Sequence, residues 1–198
     1  GVAAVLTPLM SDIYPQGVEH HTQVMVPDVS ELHCGEHRPG HFTGVATIVT
    51  KLLNICRPDI AIFGQKDYQQ LAIIRKMVAD LAIQTKIIGE PTVRNTDGLA
   101  LSSRNNYLSD SEKHTAAALF QTLTEVSDKI TAGNHDYLTL TSEAMAKLNN
   151  IGFEMEYINI VDQMSLLPAT ENDNNLVILA AGRMAGTRLI DNLEISLV

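Results

Sequence analysis

The sequence contains no tryptophan, only 5% aromatic residues and two cysteines, Cys34 and Cys56. Two cysteines give no disulfide framework, so we expect a reducing, cytoplasmic setting. No apolar run approaches the roughly 18 residues of a membrane span, so no membrane partner is expected. Positive charge is also scarce: 14 lysines and arginines face 23 acidic residues, which leaves a formal net charge of −9. That balance argues against a nucleic-acid partner, because domains that bind nucleic acid usually carry a basic face.

The first half of the chain alternates apolar runs with stretches of helical spacing. Three apolar runs predict strands, at residues 3–6, 60–63 and 86–88. Helices are predicted between them, at residues 44–56 and about 68–81. Residues 60–63 are apolar at every position, which is typical of a central parallel strand covered on both faces. The order predicts an α/β fold with a doubly wound parallel sheet.

The character of the chain changes after Pro91, where a polar loop over residues 94–106 contains the turn dipeptide Asp97-Gly98. Ser109 and Glu112 have the spacing of a capping box, which predicts one helix that begins there and stops at Gly133. A further helix is predicted over residues 138–150, and strands over residues 157–161, 176–181 and 187–191. The last hundred residues therefore predict a small α+β domain.

Two short segments place a basic residue beside small or hydroxyl residues. Gly64-Gln65-Lys66-Asp67 follows a predicted strand and precedes a helix, and Ser102-Ser103-Arg104 lies on a loop. Ligands bind outside the carboxyl ends of parallel strands, and the backbone N–H groups of a helix N-terminus favour anions. The two segments together favour a nucleotide triphosphate. A solvated turn lysine, a capping aspartate and a surface arginine are the alternatives that the residues leave open.

The residues around these segments resemble the pantothenate synthetase family, the pantoate:beta-alanine ligases. That family typically reads F-G-E-K-D-Y/F-Q-Q-L and later D-G-L-A-x-S-S-R-N-x-Y-L, and this chain matches both with Gln65 in place of the usual glutamate. Further matches are Ile13-Tyr14-Pro15, Arg38-Pro39-Gly40-His41-Phe42 and Thr187-Arg188-Leu189-Ile190-Asp191-Asn192. The matches extend from the first twenty residues to the last ten, so the chain is identified as a member of this family.

The resemblance implies an ATP-dependent condensation of (R)-pantoate with beta-alanine to pantothenate, through a pantoyl adenylate, with release of AMP and pyrophosphate. It implies ATP with Mg²⁺, and a cytoplasmic homodimer. For the fold, it implies an incomplete Rossmann-like doubly wound sheet over residues 1–91. The small α+β domain would then occupy residues 92–198 and begin with the Ser-Ser-Arg loop.

The resemblance also assigns roles to individual residues. The phosphate-binding and catalytic residues would be Lys66, Ser102, Ser103 and Arg104. The remaining ATP-binding residues would be Gly64 and Asp67 at the ribose, Gln65 in the same segment, and Val93 (through its backbone) and Leu101 at the adenine. Gln70 would hold pantoate, whereas Gln69 is expected to be solvent-facing or structural, and its replacement by alanine nearly silent. His41 would line the pantoate or beta-alanine end, or would be a capping or core histidine.

Three other patterns predict structure and not chemistry. His33, Cys34, His37 and His41 could suggest zinc, but their spacing lacks the tight pairs of a zinc site, so no metal site is expected. Gly182-x-x-x-Gly186 is predicted to be a hairpin loop. Arg188 and Asp191 are predicted to form a structural pair or to contact a neighbouring element.

Members of the family begin with a strand and a P-T-M-G-x-L-H-x-G-H loop that holds ATP, and this sequence contains no such motif. We therefore expect the chain to be an incomplete part of an enzyme, inactive alone. Two alternatives are a degenerate, non-catalytic nucleotide-binding or dimerisation module, and another nucleotidylyltransferase of the same fold. The latter should lack Asp67-Tyr68-Gln69-Gln70, which this chain has.

Overall fold

A computed structural model describes residues 1–197. The helices are α1 Met10–Ile13, α2 Cys34–His37, α3 His41–Cys56, α4 Tyr68–Asp80, α5 Asp110–Ala116, α6 Ala118–Thr131 and α7 Tyr137–Asn150. The strands are β1 Ile60–Gly64, β2 Lys86–Glu90, β3 Phe153–Asp162, β4 Asn175–Met184 and β5 Thr187–Ser196. Short 3₁₀ turns cover Gln65–Asp67 and Ser103–Tyr107.

The first half of the chain is built around a parallel pair of strands. β1 pairs with β2 so that Ile60 lies opposite Lys86 and Gly64 opposite Glu90. Helices α3 and α4 share one hydrophobic cluster with Ala61 and Phe63 of β1. Both helices therefore cover the same face of the sheet. The predicted helix, strand, helix, strand order of residues 44–90 is confirmed.

Two details of the predicted sheet are wrong. Residues 3–6 form no strand, and Val5 is 74% exposed. A strand needs a neighbour for its backbone hydrogen bonds, and among residues 1–197 no strand lies beside this run. Within residues 1–197, β1 is covered on one face only, because Ile60 and Ile62 are 51% and 63% exposed. An unbroken apolar run shows what a strand could bury, but it does not show how many layers surround the strand.

The second half is an antiparallel sheet of order β3-β4-β5, against which α6 and α7 pack. The predicted capping box is confirmed: the Ser109 hydroxyl accepts from the Glu112 N–H, and the Glu112 carboxylate accepts from the Ser109 N–H. Gly133 has a φ of +93° two residues after α6 ends, as a helix stop requires. The single predicted helix is wrong, because Ala117 separates α5 from α6. No proline or glycine marks that break, so the residue pattern does not reveal it.

The predicted hairpin between the last two strands is confirmed. Ala185 and Gly186 have φ values of +49° and +76°, as the two central residues of a tight hairpin turn require. Gly182 lies inside β4 and not in the loop, and a Cβ there would lie 2.6 Å from the Met155 sulfur. This glycine therefore serves the close approach of β3 to β4.

The two halves meet where α4 packs on the outer face of the antiparallel sheet. Tyr68 of α4 joins Val161, Val177 and Leu179 in a separate buried cluster. The turn Gln65–Asp67 contacts β5 at the same junction. The carboxyl end of β1 and the N-terminus of α4 are thereby held against the second domain, and the cleft described next lies at this junction.

Candidate active site

A cleft at the junction collects side chains that are far apart in the sequence. It is lined from the first half by Cys34, Arg38, His41, Phe42 and residues 66–70, and from the second half by Arg104, Tyr157, Leu179, Ala180, Arg188 and residues 190–192. Of the ten residues that the sequence assigned to the site, Lys66, Asp67, Gln70 and Arg104 line this cleft. Four of the five segments that carry the resemblance thus meet at this cleft, and Ile13-Tyr14-Pro15 does not line it.

Lys66 lies in the 3₁₀ turn between β1 and α4, and its side chain is partly buried. Burial lowers the pKa of its ammonium group, and the Asp67 and Asp191 carboxylates partly offset that effect. A buried ammonium group is less hydrated, so less hydration is lost when an anion replaces the water. Lys66 is therefore suited to bind a phosphate.

The Ser-Ser-Arg loop approaches the same region from the second half. The Ser102 hydroxyl accepts from the Arg104 N–H at 3.2 Å and begins the 3₁₀ turn. Ser102 and Lys66 line one small pocket next to the cleft, and Arg104 lines the cleft itself. The Arg104 guanidinium donates to the Arg188 carbonyl at 3.4 Å and is otherwise exposed. Ser103 is exposed and lines neither cavity.

Gly64, Gln65 and Asp67 have different surroundings. Gly64 ends β1 with a φ of −74°, and a Cβ there would meet no atom within 4 Å. Gln65 turns away from the cleft, because its amide donates to the Glu194 carboxylate at 3.3 Å. Asp67 occupies the N-cap position of α4 without a capping hydrogen bond from its side chain. Its carboxylate is exposed at the cleft instead.

The residues assigned to the adenine lie outside the cleft. The Leu101 N–H donates to the Val93 carbonyl at 2.8 Å, so the two are held side by side. Val93 is 66% and Leu101 54% exposed. They form a small exposed apolar surface at the loop that carries Ser102.

The two glutamines at the start of α4 have different roles in the structure. Gln70 is partly buried and lines the cleft. Gln69 is buried, and its amide donates to the Val29 and Leu32 carbonyls at 2.8 and 2.7 Å while its carbonyl accepts from the Cys34 N–H at 3.2 Å. The solvent-facing alternative for Gln69 is therefore wrong. This side chain fixes the segment before α2 to α4, and the expectation that its loss is nearly silent has to be revised.

The three histidines of the suspected cluster have different hydrogen-bond and ring partners. His33 is 9% exposed, its Nε2 donates to the Leu166 carbonyl at 2.8 Å, and its Nδ1 accepts from the Asn159 amide at 2.9 Å. The His37 ring stacks on Tyr157 at 5.6 Å. Within residues 1–197, no group of three or more His, Cys, Asp or Glu side chains is placed to hold a metal ion. His33 is a structural histidine whose pKa is lowered by burial.

His41 lines the cleft and is bonded to its neighbour Arg38, whose guanidinium donates to the His41 Nε2 at 3.0 Å. Burial is the main cause of its lowered pKa, and the positive charge of Arg38 adds to it. His41 is therefore a neutral acceptor beside a guanidinium. Its assignment to one substrate end of the cleft stays a prediction.

Several cleft residues were given no ligand-binding role by the sequence, among them Arg188 and Asp191. Arg188 pairs with Glu156 at 2.8 Å, and Asp191 pairs with Arg94 at 2.6 Å. The predicted pair between Arg188 and Asp191 is wrong, whereas the alternative that each contacts a neighbouring element is confirmed. Arg188 and Asp191 lie in a segment that matches the family. The partner of Arg188 lies 32 residues away in the sequence, and the partner of Asp191 lies 97 residues away. No local pattern could have identified those partners.

Tyr157 also lines the cleft, near Cys34 and Arg188. Burial raises the pKa of its hydroxyl to about 12, so the group stays protonated over the ordinary pH range. The cleft as a whole presents the positive charges of Arg38, Lys66 and Arg104 in a protein of net charge −9. Concentrated positive charge in an acidic protein favours a small anionic ligand.

Comparison with known proteins decides the family. Residues 1–194 match the family described as Pantoate-beta-alanine ligase. The chain belongs to that family. It is 50% identical over 196 residues to the pantothenate synthetase of Marinobacter nauticus, covering 99% of this chain and 70% of the relative. The family resemblance is thereby confirmed, and the enzyme class of the family, pantoate–beta-alanine ligase, is that of this chain.

Solved structures of the family confirm the fold. Pantothenate synthetase from Thermus thermophilus aligns with a TM-score of 0.84 at 38% identity, over 96% of this chain and 68% of that chain. The ligase from Francisella tularensis, solved in complex with beta-gamma ATP and beta-alanine, aligns with a TM-score of 0.71 at 33% identity, over 92% of this chain and 61% of that chain. The Rossmann-like parallel part followed by a small α+β part is therefore the fold of this family.

No helix between residues 1 and 197 has both the length and the apolar character that crossing a membrane requires.

Proposed function

We propose that the cleft binds ATP and pantoate and supports the ATP-dependent condensation of (R)-pantoate with beta-alanine through a pantoyl adenylate. The observation that carries this proposal is the convergence of Lys66 and Arg104 on one cleft with Gln70. These residues come from the β1–α4 turn, the Ser-Ser-Arg loop and the first turns of α4. The family membership supplies the substrates, and the Francisella tularensis ligase supplies a relative solved with an ATP compound and beta-alanine.

In the first step, a pantoate carboxylate oxygen attacks the α-phosphorus of ATP, and the bond from that phosphorus to the pyrophosphate oxygen breaks. Negative charge moves onto the departing pyrophosphate. Lys66, Ser102 and Arg104 would bind the phosphates, with Ser103 at the rim of the same loop. Prearranged positive charge and hydroxyl donors stabilise such a transition state without reorganisation. Gln70 would hold pantoate through its amide group.

The nucleoside would lie along the edge formed by β1 and the loop after β2. Gly64 and Asp67 would contact the ribose, the first through close approach of its backbone and the second through its free carboxylate. Val93, through its backbone, and Leu101 would contact the adenine at the exposed surface that they share. Gln65 would contribute to this region indirectly, by holding the turn, because its side-chain amide donates to the Glu194 carboxylate.

In the second step, the amine of beta-alanine attacks the acyl carbon of the adenylate. The amide bond forms, the bond from carbon to the AMP oxygen breaks, and the amine proton leaves to solvent or to the departing phosphate. No covalent enzyme intermediate is needed. The contribution of the protein in this step is the positioning of the two reactants.

Mg²⁺ would accompany the triphosphate and neutralise part of its charge. Of the two carboxylates that line the cleft in the described residues, Asp191 is engaged by Arg94 and Asp67 is not. Asp67 is assigned to the ribose above, so neither carboxylate is left to hold Mg²⁺ directly. The phosphate oxygens and waters, which Mg²⁺ commonly keeps as ligands, would hold the ion here.

Product analysis tests this proposal. The full gene product is incubated with ATP, pantoate and beta-alanine, and the nucleotides are separated. We expect AMP, pyrophosphate and pantothenate in equal amounts, and, without beta-alanine, a pantoate-dependent exchange of labelled pyrophosphate into ATP. Formation of ADP and phosphate in place of AMP would contradict the adenylate route. Exchange that is independent of pantoate would favour another nucleotidylyltransferase.

A further inference from the structure

Asn192 of β5 binds the backbone of the turn that carries Lys66. Its side-chain amide donates one hydrogen bond to the carbonyl of Gln65 and one to the carbonyl of Lys66, each at 2.9 Å. An amide NH₂ group has two hydrogens, so one side chain can satisfy both acceptors. Asn192 is 7% exposed, and the two bonds are therefore largely shielded from water.

The two carbonyls belong to the peptide groups on either side of the Lys66 Cα. Fixing both peptide planes fixes the backbone dihedrals of Lys66 and hence the direction in which its side chain leaves the backbone. The turn itself is a single 3₁₀ turn of three residues. Such a turn has few internal hydrogen bonds, so contacts from outside decide its geometry.

Asn192 is itself held in place. Its backbone N–H donates to the Asp191 carboxylate at 2.8 Å, and that carboxylate is paired with Arg94. Arg94 donates also to the Gly98 carbonyl, in the loop that leads to Ser102. The turn before α4 and the loop before the Ser-Ser-Arg segment are thus fixed to the same two residues of β5.

We propose that Asn192 is a positioning residue for the adenylation step, which orients the Lys66 ammonium group toward the triphosphate. This inference rests on the function proposed above for Lys66. Asn192 does not itself need to contact ATP. Its loss should let the Lys66 side chain sample other directions, and a displacement of about 1 Å in a positioned group can cost roughly a hundredfold in rate.

The test is a double-mutant cycle on the pantoate-dependent exchange of pyrophosphate into ATP. Asn192→Ala should slow exchange about 10- to 100-fold in the wild-type background. In the Lys66→Ala background the same change should have less than about a threefold effect, because the charge to be positioned is gone. Asn175→Ala, an exposed asparagine of β4, is the matched control and should leave exchange unchanged.

Asn192→Asp keeps the shape of the side chain and removes both donors. Its carboxylate would face two carbonyl oxygens, so exchange should be slower than in Asn192→Ala, whereas a role in packing alone would make the isosteric variant the milder one. If Asn192→Ala fails to fold, the cycle is run with Asn192→Asp.

Equal effects of the Asn192 change with and without Lys66 would overturn the inference while leaving the proposed function intact. The cycle is run in the full gene product, and a wild-type full gene product that shows no pantoate-dependent exchange would overturn both.

Discussion

Arg94 and Asp191 form a two-pronged ion pair, with one guanidinium nitrogen 2.6 Å and the other 2.8 Å from a carboxylate oxygen. The Asp191 side chain is 3% and the Arg94 side chain 17% exposed. The guanidinium also lies 3.5 Å above the Phe120 ring of α6. The pair joins the loop after β2 to β5, and through Asn192 it supports the turn that carries Lys66.

Removing one partner of this pair should destabilise the protein strongly. Arg94→Ala leaves a buried carboxylate without a counter-charge, so we expect a loss of about 3–5 kcal/mol in the free energy of unfolding. Urea unfolding measures this loss. Arg183→Ala is the control, since its 3.6 Å contact with Glu156 is half exposed and should be worth about 0–1 kcal/mol. A loss in Arg94→Ala no larger than in the control would contradict the buried pair.

Lys66→Ala should slow the first half-reaction selectively. The lost charge interacts with the departing pyrophosphate more than with bound ATP, so the loss should be about 3 kcal/mol, or roughly a hundredfold in rate. Attack of beta-alanine on preformed pantoyl adenylate should suffer less, because that step contains no triphosphate. Arg104→Ala should behave similarly. Rapid-quench measurements of each half-reaction check this.

Lys76→Ala is the control for Lys66, because Lys76 lies on the outside of α4 in an exposed pair with Asp80. It should leave both half-reactions unchanged. Equal slowing of the two half-reactions in Lys66→Ala would show that this lysine is not a triphosphate ligand.

Gln69→Ala should lower stability rather than be silent. The change leaves the Val29 and Leu32 carbonyls without the donor that both now share, and unsatisfied buried polar groups cost about 1–3 kcal/mol each. Thermal unfolding should show the loss, and Gln121→Ala, an exposed glutamine of α6, should show at most about 0.5 kcal/mol. Matching melting curves for the two variants would refute the structural role.

The stability should fall as the pH drops below about 6.5, in part because of His33. Its pKa is lowered by burial from 6.5, and protonation of Nδ1 would place a proton against the Asn159 amide. Between the folded and unfolded pKa values the unfolded chain binds more protons, so the free energy of unfolding rises with pH in that window. His41, whose pKa is also lowered, adds to the same slope.

His33→Gln keeps a side-chain amide near Leu166 and removes the titration. Urea unfolding between pH 5 and 7.5 should therefore show a smaller slope in the variant than in the wild type. Asp162, whose pKa is lowered by hydrogen bonds from Ser165, loses its contribution only near or below its ordinary pKa of 3.8. An unchanged slope in His33→Gln would contradict the neutral buried histidine.

The sequence predicts those parts of the fold that depend on local pattern. The capping box at Ser109, the stop at Gly133 and the three C-terminal strands are local features, and the structure confirms them. The uncovered face of β1 and the absent strand at residues 3–6 depend on which layers surround them. No apolar run contains that information.

The sequence also predicted only part of the site. The sequence indicated Lys66, Gln70 and Arg104, and the structure places these side chains at one cleft. The sequence did not indicate Asn192 as the partner of the Lys66 turn, because the two residues are 126 positions apart in the chain. The domain boundary at residues 91 and 92, the homodimer and the cytoplasmic location stay predictions.

The measurement that tests the account most directly uses pantoate labelled with ¹⁸O in its carboxylate. If a carboxylate oxygen attacks the α-phosphorus of ATP, the later cleavage of the acyl bond leaves that oxygen on AMP. Mass spectrometry should then find one ¹⁸O atom in each AMP formed with pantothenate. AMP without the label, or label in inorganic phosphate together with ADP, would contradict the adenylate route and the role given to this cleft.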